Sequence, residues 1–135
     1  MKFEEMLQQA RSVNTRRRSR DDEHRLQCGC VQWFRLQYPR LRNLLFAVPN
    51  GGSRNKAEAS RMKDEGVTSG VADLILLKPN RFYGALCIEM KTKTGRQSPS
   101  QKEWQQEAEA NGAKYVLCRT LDDFKRIVTD YLENE

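Results

Sequence analysis

Between residues 71 and 91 two apolar runs of strand length flank a turn, and charged residues mark the start of one and the end of the other. Val71 to Leu77, containing Leu74-Ile75-Leu76-Leu77, reads as one strand, and Ala85-Leu86-Cys87-Ile88-Glu89-Met90-Lys91 reads as a second. Pro79-Asn80-Arg81-Phe82-Tyr83 supplies the turn, so the segment predicts a hairpin or neighbouring strand pair. Asp73 opens the first run; Glu89 and Lys91 close the second. Side chains alternate along a strand, which puts Glu89 and Lys91 on one face and Met90 on the other. A carboxylate beside an ammonium at the end of a hydrophobic strand is a poor core device. It is a good way to hold a divalent metal and an attacking water.

The rest of the chain supplies layers for that strand pair. From about Asp22, Leu26, Cys30, Trp33, Phe34 and Tyr38 fall at three- and four-residue steps, predicting an amphipathic helix that ends before Pro39. Leu44 to Val48 reads as a short strand, closed by the turn residues Pro49-Asn50-Gly51-Gly52. Ser53 to Glu65 reads as a helix with Gly66 just beyond its end. Ser98-Pro99-Ser100-Gln101 is a helix start, with proline at the first helical position and glutamine where a capping box places it. That helix runs to Asn111-Gly112, Lys114 to Cys118 forms a strand, and Thr120 starts a last helix with Leu121, Phe124, Ile127, Val128, Tyr131 and Leu132 on one face. The expected architecture is a small α/β sandwich around a central mixed β-sheet.

At 135 residues the chain is expected to form one domain, residues 21–135, preceded by a basic arm over residues 1–20. The arm carries Lys2, Arg11, Arg16, Arg17, Arg18 and Arg20 against Glu4 and Glu5, a net +4 of the chain's +6. Such a segment attracts polyanions, which makes nucleic acid the leading partner; the bland reading is a solvated tail without a specific role. The start of the chain lacks the pattern of a secretory signal and no run is long enough to span a bilayer. A cytoplasmic location and no membrane partner are expected. Cys28 and Cys30 are one residue apart and no second close pair exists, a spacing unlike that of zinc sites. Buried free thiols are the simpler expectation.

Phosphodiester hydrolysis needs positive charge at the scissile phosphate and an activated water. Asp73 and Glu89, with the Met90 backbone carbonyl as a third oxygen, would suit magnesium, which keeps several of its waters. Lys91 would add positive charge where negative charge accumulates. Two carboxylates beside one lysine leave a site short of cations. The competing reading pairs Asp73 with Lys91 and leaves Glu89 facing solvent at a sheet edge.

Asp73 followed sixteen residues later by Glu89-Met90-Lys91 resembles the D…(D/E)-x-K core of the PD-(D/E)XK nucleases, with Ala72 standing where the superfamily name has proline. More narrowly, four segments in order resemble the VRR-NUC family. They are Pro49 to Arg54, Gly66 to Asp73, Ile88-Glu89-Met90-Lys91 and Ser98 to Trp104. The resemblance spans roughly residues 22–132. It implies a restriction-endonuclease-like core, with Asp73 and Glu89 as metal-binding acids and Lys91 as the catalytic lysine. It further implies that Glu23 of the first helix joins the metal site and that Gln101 lies near it.

Each supporting residue also has a plainer role. Glu23 fits an ordinary first-turn acid, and Gln101 fits the capping box with Ser98; the two roles of Gln101 are compatible. Asn50 and Arg54 are candidates for gripping a phosphate, although Asn50-Gly51-Gly52 is also simply a tight turn. His24 reads as a surface helix residue, Trp33 and Trp104 as core side chains. The expectation is a magnesium-dependent DNA endonuclease, with manganese as substitute and no small-molecule cofactor, resembling stand-alone proteins of phages and bacteria. It would leave a 5′-phosphate and a 3′-hydroxyl. Its small surface favours recognition of branched or junction DNA by shape, as a homodimer. The alternatives are a nucleic-acid-binding module on the same fold that does not cut, and an interaction protein whose basic arm docks on an acidic partner.

Overall fold

The computed structural model describes residues 2–49 and 55–135, with the side chains of residues 10–20 outside that description. The chain opens with α1, Phe3–Gln37, a helix that begins nineteen residues before the expected start at Asp22. No glycine or proline interrupts residues 3–28, and Glu4 and Glu5 occupy the first turn, where the helix dipole favours acids. The apolar periodicity from Leu26 to Tyr38 belongs to a stretch that packs on the core and carries no mark of where α1 starts. Pro39 ends the helix as expected, and a 3-10 segment, Pro39–Leu44, leads into β1, Leu45–Ala47.

After β1 comes α2, Lys56–Asp64, capped by the Asn55 side chain, which accepts the Glu58 N–H at 2.8 Å. Gly66 takes φ +102° just past its end. Then follow β2, Leu74–Leu76, and β3, Ala85–Met90, both shorter than the expected strands. Next are α3, Pro99–Ala110, β4, Ala113–Cys118, and α4, Leu121–Glu133. The helix starts at Ser98 and Thr120 are as expected. Ser98 accepts the Gln101 N–H, and Thr120 accepts the Asp123 N–H.

The four strands form one sheet in the order β1-β2-β3-β4. The first two pairings are antiparallel and β3 with β4 is parallel, the crossover being α3. The expected hairpin is β2–β3, with Leu74 opposite Ile88 and Leu76 opposite Leu86. The α/β class and the mixed sheet are as read from the sequence.

Strand alternation sorts the core into two layers. Leu74, Leu76, Leu86, Ile88, Met90 and Cys118 face α1 and α4, packing with Cys30, Phe34, Phe124, Val128 and Tyr131. Each buried side chain of this size contributes about 1.5–3 kcal/mol by leaving water. Trp33 is edge-on to both Tyr38 and Phe124, which makes it a core residue. The opposite face carries Cys87 and Tyr115 under α3, with Ile75, Trp104 and Leu117 around them. Cys30, Cys87 and Cys118 are buried free thiols, whereas Cys28 is exposed. Among the described residues no helix is long and apolar enough to cross a membrane.

Candidate active site

The site forms where β2 begins and β3 ends, because those ends are neighbours in an antiparallel pair. Leu74 pairs with Ile88, so one step outward sets Asp73 opposite Glu89, both on the α3 face. Asp73 is anchored twice: its carbonyl accepts the Val48 N–H at 2.9 Å and its Oδ2 accepts the Met90 N–H at 2.7 Å. The Met90 side chain turns into the opposite layer, leaving only its backbone carbonyl for the ligand role expected of it.

Glu89 is 2% exposed in an interior strand. Its Oε1 accepts from Gln101 Nε2 at 3.0 Å and lies 3.8 Å from Lys91 Nζ. Its Oε2 is buried without a hydrogen-bond partner among the described residues. The competing reading, with Glu89 in solvent at a sheet edge and Lys91 paired to Asp73, is therefore overturned: the lysine pairs with a buried Glu89. Burial, then the neighbouring Asp73 carboxylate, push the Glu89 carboxyl up to about 8; Lys91 offsets part of this and Glu23 adds to it.

Gln101 performs both roles considered for it. Its Oε1 accepts the Ser98 N–H at 2.9 Å, completing the capping box, while its amide nitrogen holds Glu89. Glu23 reaches the site from α1: its carboxyl is pushed up by burial and by Asp73, and drawn down by Lys91 and a Thr92 backbone hydrogen bond. Five sequence-predicted residues, Glu23, Asp73, Glu89, Lys91 and Gln101, thus share one electrostatic neighbourhood. Asn50 and Arg54 lie outside the described residues, as do the side chains of Arg16, Arg17, Arg18 and Arg20, whose backbone belongs to α1. His24 is an exposed helix residue beside Cys28, with Nε2 to Sγ at 3.5 Å.

Sequence reasoning missed Tyr115 and Gln97. The Tyr115 hydroxyl accepts from Gln97 Nε2 at 3.3 Å, and burial, with the Glu89 and Asp73 charges, pushes it up to about 12. The only signal for it was a tyrosine at an inward position of the Lys114–Cys118 run. Gly70 was missed as well. It has φ +84°, and a Cβ there would collide with the Ser100 carbonyl, so the loop carrying Asp73 passes directly against the first turn of α3.

These residues fit a hard cation. An orphaned, buried carboxylate oxygen opposite a second carboxylate is unstable as a charged pair unless positive charge joins it. Among the described residues no three His, Cys, Asp or Glu side chains form a ready cage. Two carboxylates and one carbonyl are the sparse oxygen set magnesium accepts, since it retains water ligands.

The VRR-NUC domain model matches residues 7–121. The chain belongs to the VRR-NUC family. That is a nuclease family, and the match starts inside the segment expected to be an arm and includes every residue gathered at the site. Similarity extends to a solved structure described as a VRR_NUC domain protein, at 23% identity and TM-score 0.73, covering 84% of this chain and 89% of that one. At that identity the likeness concerns the VRR-NUC fold alone. No curated protein matches the chain.

Proposed function

We propose that this VRR-NUC chain is a magnesium-dependent DNA endonuclease, able to use manganese, that cuts branched or junction DNA as a homodimer. The observation that carries the reading is Glu89: buried, opposite Asp73, 3.8 Å from Lys91 and with one oxygen unsatisfied. Magnesium bound there would neutralise charge on the scissile phosphate and lower the pKa of a bound water.

The chain's own residues do the rest. Asp73 and Glu89 present oxygens from adjoining strand ends, Asp73 held by the Met90 N–H and Glu89 by Gln101. Glu23 adds a third acid from α1. Lys91, only 11% exposed, keeps its ammonium beside Glu89, where it can orient the attacking water and stabilise negative charge on the phosphate. Water attacks phosphorus in line, the bond to the 3′-oxygen breaks, and a 5′-phosphate and 3′-hydroxyl remain. Such a site belongs to the PD-(D/E)XK pattern. A small domain offers little area for reading base sequence, which supports recognition of DNA shape, and a two-fold partner supports engagement of two arms of a junction.

Plasmid nicking with magnesium, with manganese and with EDTA tests the activity. A panel of single strand, duplex, flap, splayed arm and four-way junction tests the preference. Nicking with either metal and none in EDTA is expected. Binding without nicking in both metals would make the chain a nucleic-acid-binding module on this fold.

A further inference from the structure

We infer that Arg119 is a positioning residue: its guanidinium braces the loop that continues from Lys91 and, through that loop, fixes Lys91 and Glu23. Arg119 follows directly on the last residue of β4. The Cys118 carbonyl accepts the Lys91 N–H at 3.0 Å, so the end of β4 already holds the lysine's backbone. Beyond Lys91 the chain leaves the sheet.

Arg119 Nη1 spans that departure. It donates to the Thr92 carbonyl at 2.7 Å and the Gly95 carbonyl at 2.8 Å, with the Lys93 carbonyl at 3.5 Å. The two short bonds use both hydrogens of that nitrogen, and a cation donating to carbonyls gives bonds stronger than neutral ones. The loop also closes on itself, Gly95 N–H donating to the Thr92 carbonyl at 3.1 Å.

The braced loop touches two functional side chains. A Cβ on Gly95 would stand 3.5 Å from Lys91 Cδ and 3.0 Å from Thr92 Oγ1, so the Gly95 backbone lies against the aliphatic stem of the lysine. The Thr92 backbone faces the Glu23 carboxylate closely enough to draw its pKa down. One loop therefore sets how far Lys91 reaches and where Glu23 rests, and Arg119 sets the loop. Without the guanidinium the Gly95 carbonyl loses this donor, the Thr92 carbonyl keeps only the Gly95 N–H, and the loop is free to lift. Lys91 would then keep its backbone position and lose its tip position.

The kinetic consequence rests on the nuclease reading, whereas the brace itself is a property of the loop, so the test has two arms. Wild type, Arg119→Ala, Arg119→Lys and Lys91→Ala are compared as full chains. Amide hydrogen exchange is followed over residues 92–96, and single-turnover cleavage of labelled junction DNA is followed with magnesium. Arg119→Ala is expected to exchange faster across 92–96 and unchanged in β3 and β4. Its cleavage rate should fall about 100-fold, the scale of an ångström-sized misplacement, with DNA affinity unaltered. Added guanidinium ion should restore part of the rate in Arg119→Ala and none in Lys91→Ala. If Arg119→Ala does not fold, Arg119→Lys is read in its place, with a smaller change of the same sign in both arms. Unchanged exchange over 92–96 overturns the inference, and lost DNA affinity with unchanged exchange makes Arg119 a phosphate contact instead. Should no variant or wild type cleave any substrate, the nuclease reading falls and the exchange arm still decides the brace.

Discussion

Glu89 concentrates the chemistry of the site, and its burial has a measurable consequence before any substrate is added. Its folded pKa of about 8 stands above the ordinary 4.5, so the folded metal-free protein favours the neutral acid. Stability associated with Glu89 is therefore complete below about pH 4.5 and is lost as pH rises through about 8. Glu89→Gln keeps the shape without the charge. The metal-free variant should melt several degrees above wild type at pH 9 and alongside it at pH 4, read by thermal unfolding. The proposed metal site predicts the opposite slope, because a cation there would need the carboxylate; magnesium affinity should rise from pH 6 to pH 8 and be lost in Glu89→Gln, read by calorimetry.

The same reasoning separates Asp73 from Lys91. Asp73→Ala removes the proposed metal ligand and strands the buried Met90 N–H, at a cost of about 1–3 kcal/mol. Asp73→Asn retains an acceptor for that N–H. Both should abolish cleavage, with the asparagine variant folded to near wild-type stability in urea titrations and weakened in metal binding. Lys91→Ala should abolish cleavage while metal binding stays measurable. Equal loss of metal binding in Lys91→Ala and Asp73→Ala would contradict these roles.

At the level of elements, legibility followed the range of the interaction. Caps are local chemistry, so Ser98, Gln101 and Thr120 could be read as helix starts and were found as such. Strand lengths depend on partners. The apolar run Val71–Leu77 suggested seven residues, yet the ladder holds only Leu74–Leu76, paired with three residues of β1 on one side and three of β3 on the other. The Asp73–Glu89 opposition was visible as a pattern, but the burial of Glu89 came from α3 closing over it, which no local signal carries.

Gly70 shows how that closure is made. Its φ of +84° and its contact with the Ser100 carbonyl let the Asp73 loop and α3 meet. Gly70→Ala must push them apart, carrying Gln101 off Glu89. Gly66 also has positive φ, +102°, but open space around its Cβ position. Gly66→Ala should cost only the backbone strain, about 1–2 kcal/mol, and leave cleavage intact. Gly70→Ala should cost more and reduce cleavage as well. Denaturant midpoints and rates measured side by side decide this, and equal effects at the two glycines would refute it.

For the whole molecule the telling feature is the continuity of α1. A helix of 35 residues extends about 52 Å, and Cys30 and Phe34 in its later half are buried anchors in the core. Residues 2–9 are exposed all round, Phe3, Met6 and Leu7 included, so in the described structure nothing on the domain covers the first turns. The basic residues Arg16, Arg17, Arg18 and Arg20 lie between those turns and Glu23, along the helix that leads to the site. We propose that this stretch delivers charge to the phosphates flanking the cut rather than trailing as an independent tail. Replacing all four arginines with glutamine keeps helix propensity and removes four charges. If each contacts a phosphate, the salt slope of DNA binding should flatten by about 3 to 4, since each contact accounts for roughly 0.9. Deleting residues 1–20 should flatten it similarly while the truncated protein, with its core half of α1 intact, still cuts at low salt. Affinity measured across a salt series separates the possibilities: an unchanged slope makes the basic stretch a bystander, and a flattened slope with cleavage lost at every salt means it holds the site together as well.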